Sequence, residues 1–419
     1  VFGAPVELPD GGHGSWEYPP VNPLAQELGQ RRDRCLWLPS HGIRLPNEGA
    51  QVYIAPVSDI PSPAHDLLQQ LTALPFLSAD IPAVAGRIKS TPEDFVVEEL
   101  PAYVPSGEGE HLYLWIEKRG LNTVDAARAL ATALDTPFAE VGWAGLKDRH
   151  AVTRQWLSFH CTQTPSPEAL TLLVEGVRVL ESTRHLNKLR TGHLRGNRFS
   201  LRLCEVPEGH EVQAQACLAR LQERGLPNYY GSQRFGHGGR NLISGYGMVV
   251  QGERAPGKPF LRKLFMSALQ SALFNVWLAT RLERELFDRV LEGDVLRKED
   301  TGGLFLCSDP TTDHERSERW EISITGPMFG SRMKSPEAAA LTLETELLER
   351  WGIDAACLKR AEKYGEGTRR PARVRPEAVH CERIQDDLLL SFELPKGAYA
   401  TVLVEELTKT RGLALNLDG

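Results

Sequence analysis

The chain is 419 residues long, 41 % hydrophobic and 25 % charged, with a formal net charge of −7. That length exceeds one ordinary core and sets two domains as the expectation, and apolar runs of only a few residues exclude a membrane-spanning helix. Seven cysteines, scattered without a Cys-x-x-Cys pair or a histidine cluster at ligand spacing, exclude a zinc site and, with no secretory pattern in residues 1–14, point to reduced thiols in the cytoplasm.

Residues 1–74 are rich in Pro and Gly and show no sustained period before a helical candidate near Ala64 to Leu74; they read as an extension, partly disordered or loosely packed. From Ile88 a loop feeds a strand through Phe95. His111 to Lys118 alternates, with Leu112, Leu114 and Ile116 on one face and Tyr113 and Trp115 on the other, as a strand does. Asn122 caps a helix through Ala126, Ala127, Leu130 and Leu134, with Asp125 in its first turn. Val141 to Thr153 begins apolar, breaks at Gly145 and sets Lys147, Asp148, Arg149 and His150 side by side. Gly at such a break admits a turn and a close ligand. A carboxylate between two permanent cations stays ionised, which suits a nucleophile. Gln155 to Phe159 is a further strand. Ser166 caps a helix with Pro167 at its first position.

Arg184, Lys188, Arg190, Arg195 and Arg198 then form an acid-free basic run that feeds a strand at Phe199, Leu201 and Leu203, and Val212 to Arg224 is a helix closed by Gly225. Asn228 to Gly236 (Asn-Tyr-Tyr-Gly-Ser-Gln-Arg-Phe-Gly) is an aromatic, glycine-rich break. A long helix follows through Leu261, Leu269 and Trp277, with Glu283, Glu285, Asp288 and Glu292 also expected on a helix. Ser335 and Pro336 are expected to start another helix, closed by Gly352. Arg369, Arg370, Arg373 and Arg375 make a second basic cluster. Segregated cations of this kind attract a polyanion locally, although either cluster alone reads equally as a solvated face. Strand character returns at Asp387 to Leu394, Pro395-Lys396-Gly397 turns, and Ala398 to Thr408 is a helix. Strands mixed with helices in this order give an α+β fold with a mostly antiparallel sheet. The expected domains are 75–224 and 375–419 for one sheet-containing unit, with a helix-rich insert at 225–374.

Four patches beside strands stand out: Lys89 to Phe95, Gly145 to Thr153, Gly196 to Phe199 with Asn228 to Gly236, and Pro395 to Ala400. Together they supply a carboxylate at a glycine turn, cations, an asparagine able to read a base edge, and aromatics able to stack. That set suits a nucleotide taken out of its stack and held against a nucleophile.

In order and spacing, Pro92-Glu93-Asp94-Phe95, Ala144 to Thr153, Gly196-Asn197-Arg198-Phe199, Asn228 to Gly236 and Leu394 to Thr401 resemble the TruD family of tRNA pseudouridine synthases, from about residue 75 to the end. The resemblance implies a pseudouridine-synthase α+β catalytic domain with a mixed sheet, and a TruD-type domain inserted at about 225–374. It implies isomerisation of a uridine in tRNA, position 13 of the D-arm, without cofactor or metal and with no membrane or protein partner. Asp148 takes the nucleophile's position, and Phe95, Asn197 and Tyr399 the substrate-contacting ones; Tyr399 departs from the common Phe. Lys147, Arg149 or Lys89 could support the carboxylate, Phe199 or Phe95 could stack on the base, and Lys147 could instead reach a phosphate. Attack at C6 of uracil and at C1′ of ribose both remain open. Two alternatives stand beside this: a non-catalytic tRNA-binding or RNA-chaperone protein on the same fold, and a retaining glycosidase with Glu93 as its second carboxylate.

Overall fold

The computed structural model describes residues 62–88 and 91–412. In chain order these form α1 (Ser62–Thr72), β1 (Arg87–Ile88), β2 (Phe95–Pro101), β3 (His111–Lys118), α2 (Thr123–Ala133), β4 (Val141–Trp143), β5 (Val152–His160), α3 (Pro167–Leu173), β6 (Val177–His185), β7 (Leu194–Cys204), α4 (His210–Arg224) and β8 (Leu226–Pro227). There follow α5 (Arg240–Tyr246), α6 (Pro259–Glu283), β9 (Val295–Lys298), β10 (Leu304–Leu306), α7 (Pro310–Glu318), β11 (Ile322–Met328), α8 (Ala338–Arg350) and α9 (Ala355–Ala361). β12 (Thr368–Pro371), β13 (Arg373–Val374), β14 (Glu377–Ile384), β15 (Asp387–Pro395) and α10 (Ala400–Thr408) complete the described chain.

The main sheet runs β14-β15-β7-β2-β5-β3-β6, with β1 beside β7 and β4 beside β5. β2 and β5 run parallel, and the other pairs run antiparallel. This is the mixed, mostly antiparallel sheet of the expected α+β fold. The last strands enter it beside β7, where Gly196 faces Pro395 and a Cβ on Gly196 would lie 2.2 Å from the Leu394 carbonyl oxygen. Residues between β7 and β14 build a second sheet, β10-β9-β11-β12, and most of the helices. One apolar cluster joins the two regions. It passes from Leu201, Phe392 and Leu403 to Trp277 and Phe274 of α6. Helix α1 is part of it through buried Ala64 and Leu67, so the last piece of the N-terminal extension is packed rather than loose. The remainder of the extension, residues 1–61, lies outside the described residues.

Two helical expectations differ from the observed elements. α8 begins at Ala338, and Ser335 and Pro336 lie before it. The Glu337 N–H donates to the Gly293 carbonyl at 3.0 Å, which draws this stretch alongside the 292–294 turn instead of into a helix. The acidic stretch after Glu283 is not helical either. Buried Arg281 donates to the carbonyls of Leu286 (3.0 Å) and Arg289 (2.6 Å), so the chain folds back around it and buries Phe287 and Val290.

A row of alternating charges crosses one face of the main sheet. Arg154 on β5 reaches Glu117 of β3 at 3.0 Å and Glu98 of β2 at 3.2 Å; Arg198 on β7 reaches Glu98 at 3.2 Å and Glu393 of β15 at 2.7 Å. Opposite charges on neighbouring strands add modest stability each and favour this strand register over its alternatives.

Candidate active site

The sheet opens where β5 changes partners. Val152 to Arg154 pair with β2, but Leu157 to Phe159 pair with β4, and residues 144–151 enter at the gap. On one face, the apolar stripe of each neighbouring strand gives way here to a polar residue. Ile116 is followed by Lys118 on β3, Val97 by Glu99 on β2, Leu157 by Gln155 on β5, and Phe199 is preceded by Asn197 on β7. Gln155 lies opposite Ile116, Lys118 opposite Thr153, and Glu99 opposite Asn197. Such a patch inside a core costs free energy unless each group is paired.

The loop that carries Asp148 supplies most of that pairing. Gln155 donates through Nε2 to the Gly145 carbonyl at 3.0 Å, and Thr123 Oγ1 donates to Gln155 Oε1 at 2.8 Å while accepting the Lys147 N–H at 2.9 Å. The Lys147 ammonium forms a buried ion pair with Glu99 at 2.7 Å. Lys118, 0 % exposed, donates through Nζ to the carbonyls of Leu121 and Asp148, each at 2.7 Å. Arg149 Nε donates to the Gly120 carbonyl at 3.0 Å, and the His150 N–H donates to Asp148 Oδ1 at 2.9 Å. The loop at Asp148 is therefore held by side chains from three strands, Lys118 of β3, Glu99 of β2 and Gln155 of β5, and by Thr123 of α2. The carboxylate itself is half-buried.

Burial lowers the Lys118 ammonium to about 8; the Asp148 carboxylate opposes this and the Lys147 ammonium adds to it. Burial also pushes the Glu99 carboxyl above its usual range, with Lys147 pulling it back.

The residues expected from sequence fall into different settings. Asn197 sits directly across from Glu99, and its Oδ1 is buried with no hydrogen-bond partner among the described residues. Phe95 and Phe199 are 4 % and 7 % exposed, their rings stacked at 6.1 Å, and Phe199 stacks on Phe392 at 5.4 Å. Both belong to the core that floors the site, so Phe199, expected as a stacking surface for the base, is instead packed between two rings. Lys147, expected to touch substrate or support Asp148, is 8 % exposed, and its ammonium pairs with Glu99. The cation beneath the loop is Lys118, which sequence reading missed. Its signal was present, because Lys118 occupies the next position on the apolar face of Leu112, Leu114 and Ile116. Lys89 lies outside the described residues.

Tyr399 immediately precedes α10 and meets Tyr230 edge-on at 5.9 Å. A Cβ on Gly231 would lie 3.2 Å from its ring, so glycine there lets the two patches close. Arg370 ties them together. It donates to Asn228 Oδ1 at 2.5 Å, the Asn228 carbonyl at 3.0 Å and the Gly397 carbonyl at 2.9 Å, with its guanidinium 4.0 Å from the Tyr230 ring centre. Glu93, the glycosidase candidate, pairs with Arg119 at 2.6 Å, and the carboxylate buried against the loop is Glu99, already neutralised by Lys147.

The two basic clusters are mostly consumed locally. Arg184 donates to the Cys161 carbonyl at 2.6 Å, and Arg369 is buried against Glu344 at 2.7 Å. Arg195 from the first cluster and Arg375 from the second line a cleft of about 320 Å³ with Arg297, Trp320 and the carboxylates Glu299, Glu377 and Glu393, whereas Arg373 is buried and donates to the carbonyls of Arg224 and Ser317, each at 2.8 Å. Among the described residues no cluster of His, Cys, Asp and Glu is arranged to hold a metal ion, and no helix is long and apolar enough to cross a membrane.

The crystal structure of a Methanosarcina mazei protein assigned as tRNA pseudouridine synthase D matches with a TM-score of 0.68, covering 84 % of this chain and 99 % of that one at 20 % identity. The family model for tRNA pseudouridine synthase D (TruD) matches residues 74–249 and 257–407. A tRNA pseudouridine synthase D of Anaeromyxobacter dehalogenans is 52 % identical over 345 residues, covering 81 % of this chain and 97 % of the relative. One from Thermus thermophilus is 47 % identical over 351 residues, covering 83 % and 96 %. This chain belongs to the TruD family of tRNA pseudouridine synthases, and is an isomerase of uridine to pseudouridine.

Proposed function

We propose that the substrate is tRNA, that the target is the uridine at position 13 of the D-arm, and that Asp148 is the nucleophile. The observation that supports this most is the clamped loop, which fixes the Asp148 backbone over the polar patch of Lys118, Glu99, Gln155 and Asn197. Asn197 offers a buried amide for the edge of a uracil ring, and Tyr399 an aromatic wall. The position in tRNA rests on the family resemblance.

The reaction breaks the N1–C1′ bond, turns the uracil and joins C5 to C1′; C5 loses its proton and N1 gains one. A carboxylate of Asp148 can add at C6 or at C1′, and both routes need it ionised in a closed site. Lys118 supplies the compensating charge through the loop it holds. We take residues 75–224 and 375–419 as the catalytic domain, 225–374 as the insert, and the cytoplasm as its place of work.

The test is a map of pseudouridine sites in total RNA from cells with and without this protein. The reading requires loss of the D-arm site; an unchanged map overturns it, and tRNA binding without any pseudouridine formation supports the RNA-chaperone alternative.

Lys118 makes the reaction pH-dependent. A lysine that binds its proton more weakly folded than unfolded favours the folded chain above the ordinary lysine range, and that contribution is lost as pH falls through about 8. Catalysis responds in the opposite sense, since the loop loses its supporting charge above that value. Single-turnover rates are expected to fall on the alkaline side with a midpoint near 8, and Lys118→Arg to move the fall to higher pH.

At this mixed-charge cleft, Arg195 and Arg375 are the cations that could meet the phosphodiester backbone of the same RNA. Arg375→Glu is expected to weaken tRNA binding and to reduce the slope of log affinity against log salt by about 1. A titration series at several salt concentrations measures both.

A further inference from the structure

Leu146 is 68 % exposed, two residues before Asp148, in a loop where its neighbours are held inward. Gly145 is fixed through its carbonyl by Gln155, and Lys147 through its N–H by Thr123 and its ammonium by Glu99. The anchors on either side leave the isobutyl group outside, two positions along the chain from Asp148. Keeping that much apolar surface in water is unfavourable in the free protein, and the loop is too firmly held for Leu146 to retreat into the core. Other exposed apolar residues, such as Leu172 and Phe260, lie on helices α3 and α6.

A uridine within a structured RNA is stacked, and its ring must leave the stack before a side chain can reach it. Proteins that unstack bases commonly insert an apolar wedge, leucine among them, into the base step. We propose that Leu146 is such a wedge. It enters the step beside the target uridine, occupies the space that the base vacates, and leaves the uracil turned toward Asp148. Only the apolar body of the side chain is required, so a flexible thioether of similar length should serve. This role rests on the functional reading above and deepens it.

The test uses the full-length chain and a tRNA carrying 2-aminopurine in place of the nucleotide 3′ to the target. In an Asp148→Asn background, which holds the RNA without turnover, binding should raise 2-aminopurine fluorescence. Adding Leu146→Ala should abolish the rise without comparable loss of affinity. With Asp148 present, Leu146→Ala should slow single-turnover formation of pseudouridine roughly 10- to 100-fold on native tRNA. Leu146→Met should restore most of the rate. A tRNA with an abasic site at the 3′ neighbour, where stacking is already lost, should narrow the gap between wild type and Leu146→Ala. The proposal is overturned if Leu146→Ala matches wild type on native tRNA, if it is equally slow on both RNAs, or if the fluorescence rise persists without Leu146. Failure of the wild type to make any pseudouridine in tRNA would instead remove the functional reading, with the fluorescence comparison still deciding whether Leu146 unstacks the bound RNA.

Discussion

Asp148→Asn is expected to slow pseudouridine formation by roughly 10⁴-fold or more, as removal of a nucleophile does in other covalent catalysts, and to leave tRNA affinity nearly unchanged. The asparagine is close to isosteric. Its Oδ1 can still accept the His150 N–H, and the contact from Lys118 goes to the backbone carbonyl, which the substitution does not touch. The loop should therefore stand while the negative charge is lost. Nucleoside analysis of tRNA after single-turnover incubation reads the rate, and filter binding reads the affinity. An asparagine variant within tenfold of wild type would remove Asp148 from the chemistry.

The second large effect is on stability. Lys147→Met leaves the Glu99 carboxylate buried at 2 % exposure without its cation. Breaking a buried pair from one side costs about 3–5 kcal/mol, whereas replacing both members by apolar groups is often neutral. Lys147→Met is thus expected to lower the unfolding midpoint in urea markedly, and the Lys147→Met/Glu99→Leu double variant to recover most of it. Activity discriminates the roles. If Lys147 serves only to seat the loop, the double variant regains most of the rate along with its stability. A stable double variant with a lost rate would return Lys147 to the substrate, as its position next to Asp148 first suggested.

That contrast between Lys147 and Lys118 shows what the sequence could and could not reveal. The alternation of His111 to Lys118, the Asn122 cap and the glycine break at Gly145 are local patterns, and each appears in the structure where its residues put it. Adjacency in sequence made Lys147 the natural partner of Asp148. The structure instead sends its side chain to Glu99, 48 residues away, because β2 lies beside β5 at that level. Lys118 reaches Asp148 across 30 residues for the same kind of reason. Strand order is a long-range property, and no local periodicity states it. The basic clusters were visible as runs, yet their fate depended on which carbonyls and carboxylates folding brought alongside. Arg184, Arg369 and Arg373 became structural, and Arg195 and Arg375 came to line one cleft.

The late return of β15 also bears on the order in which a growing chain becomes an enzyme. Asp148, Glu99 and Asn197 are made early, but Tyr399 and the Gly397 carbonyl that Arg370 grips come from the last stretch of the chain. A nascent chain therefore carries its carboxylate loop well before it carries the wall that faces it, and pairing across so many residues is slow to form. Until residues 387–395 arrive, the flank of β7 that will receive them has no strand beside it in the final sheet order. Bare sheet edges invite pairing with other chains, and charged side chains discourage it. β7 carries Arg195, Arg198 and Arg202 along its length. The arginine that finally closes on Glu393 can thus serve earlier as a guard, keeping that edge solvated until its own strand is synthesised.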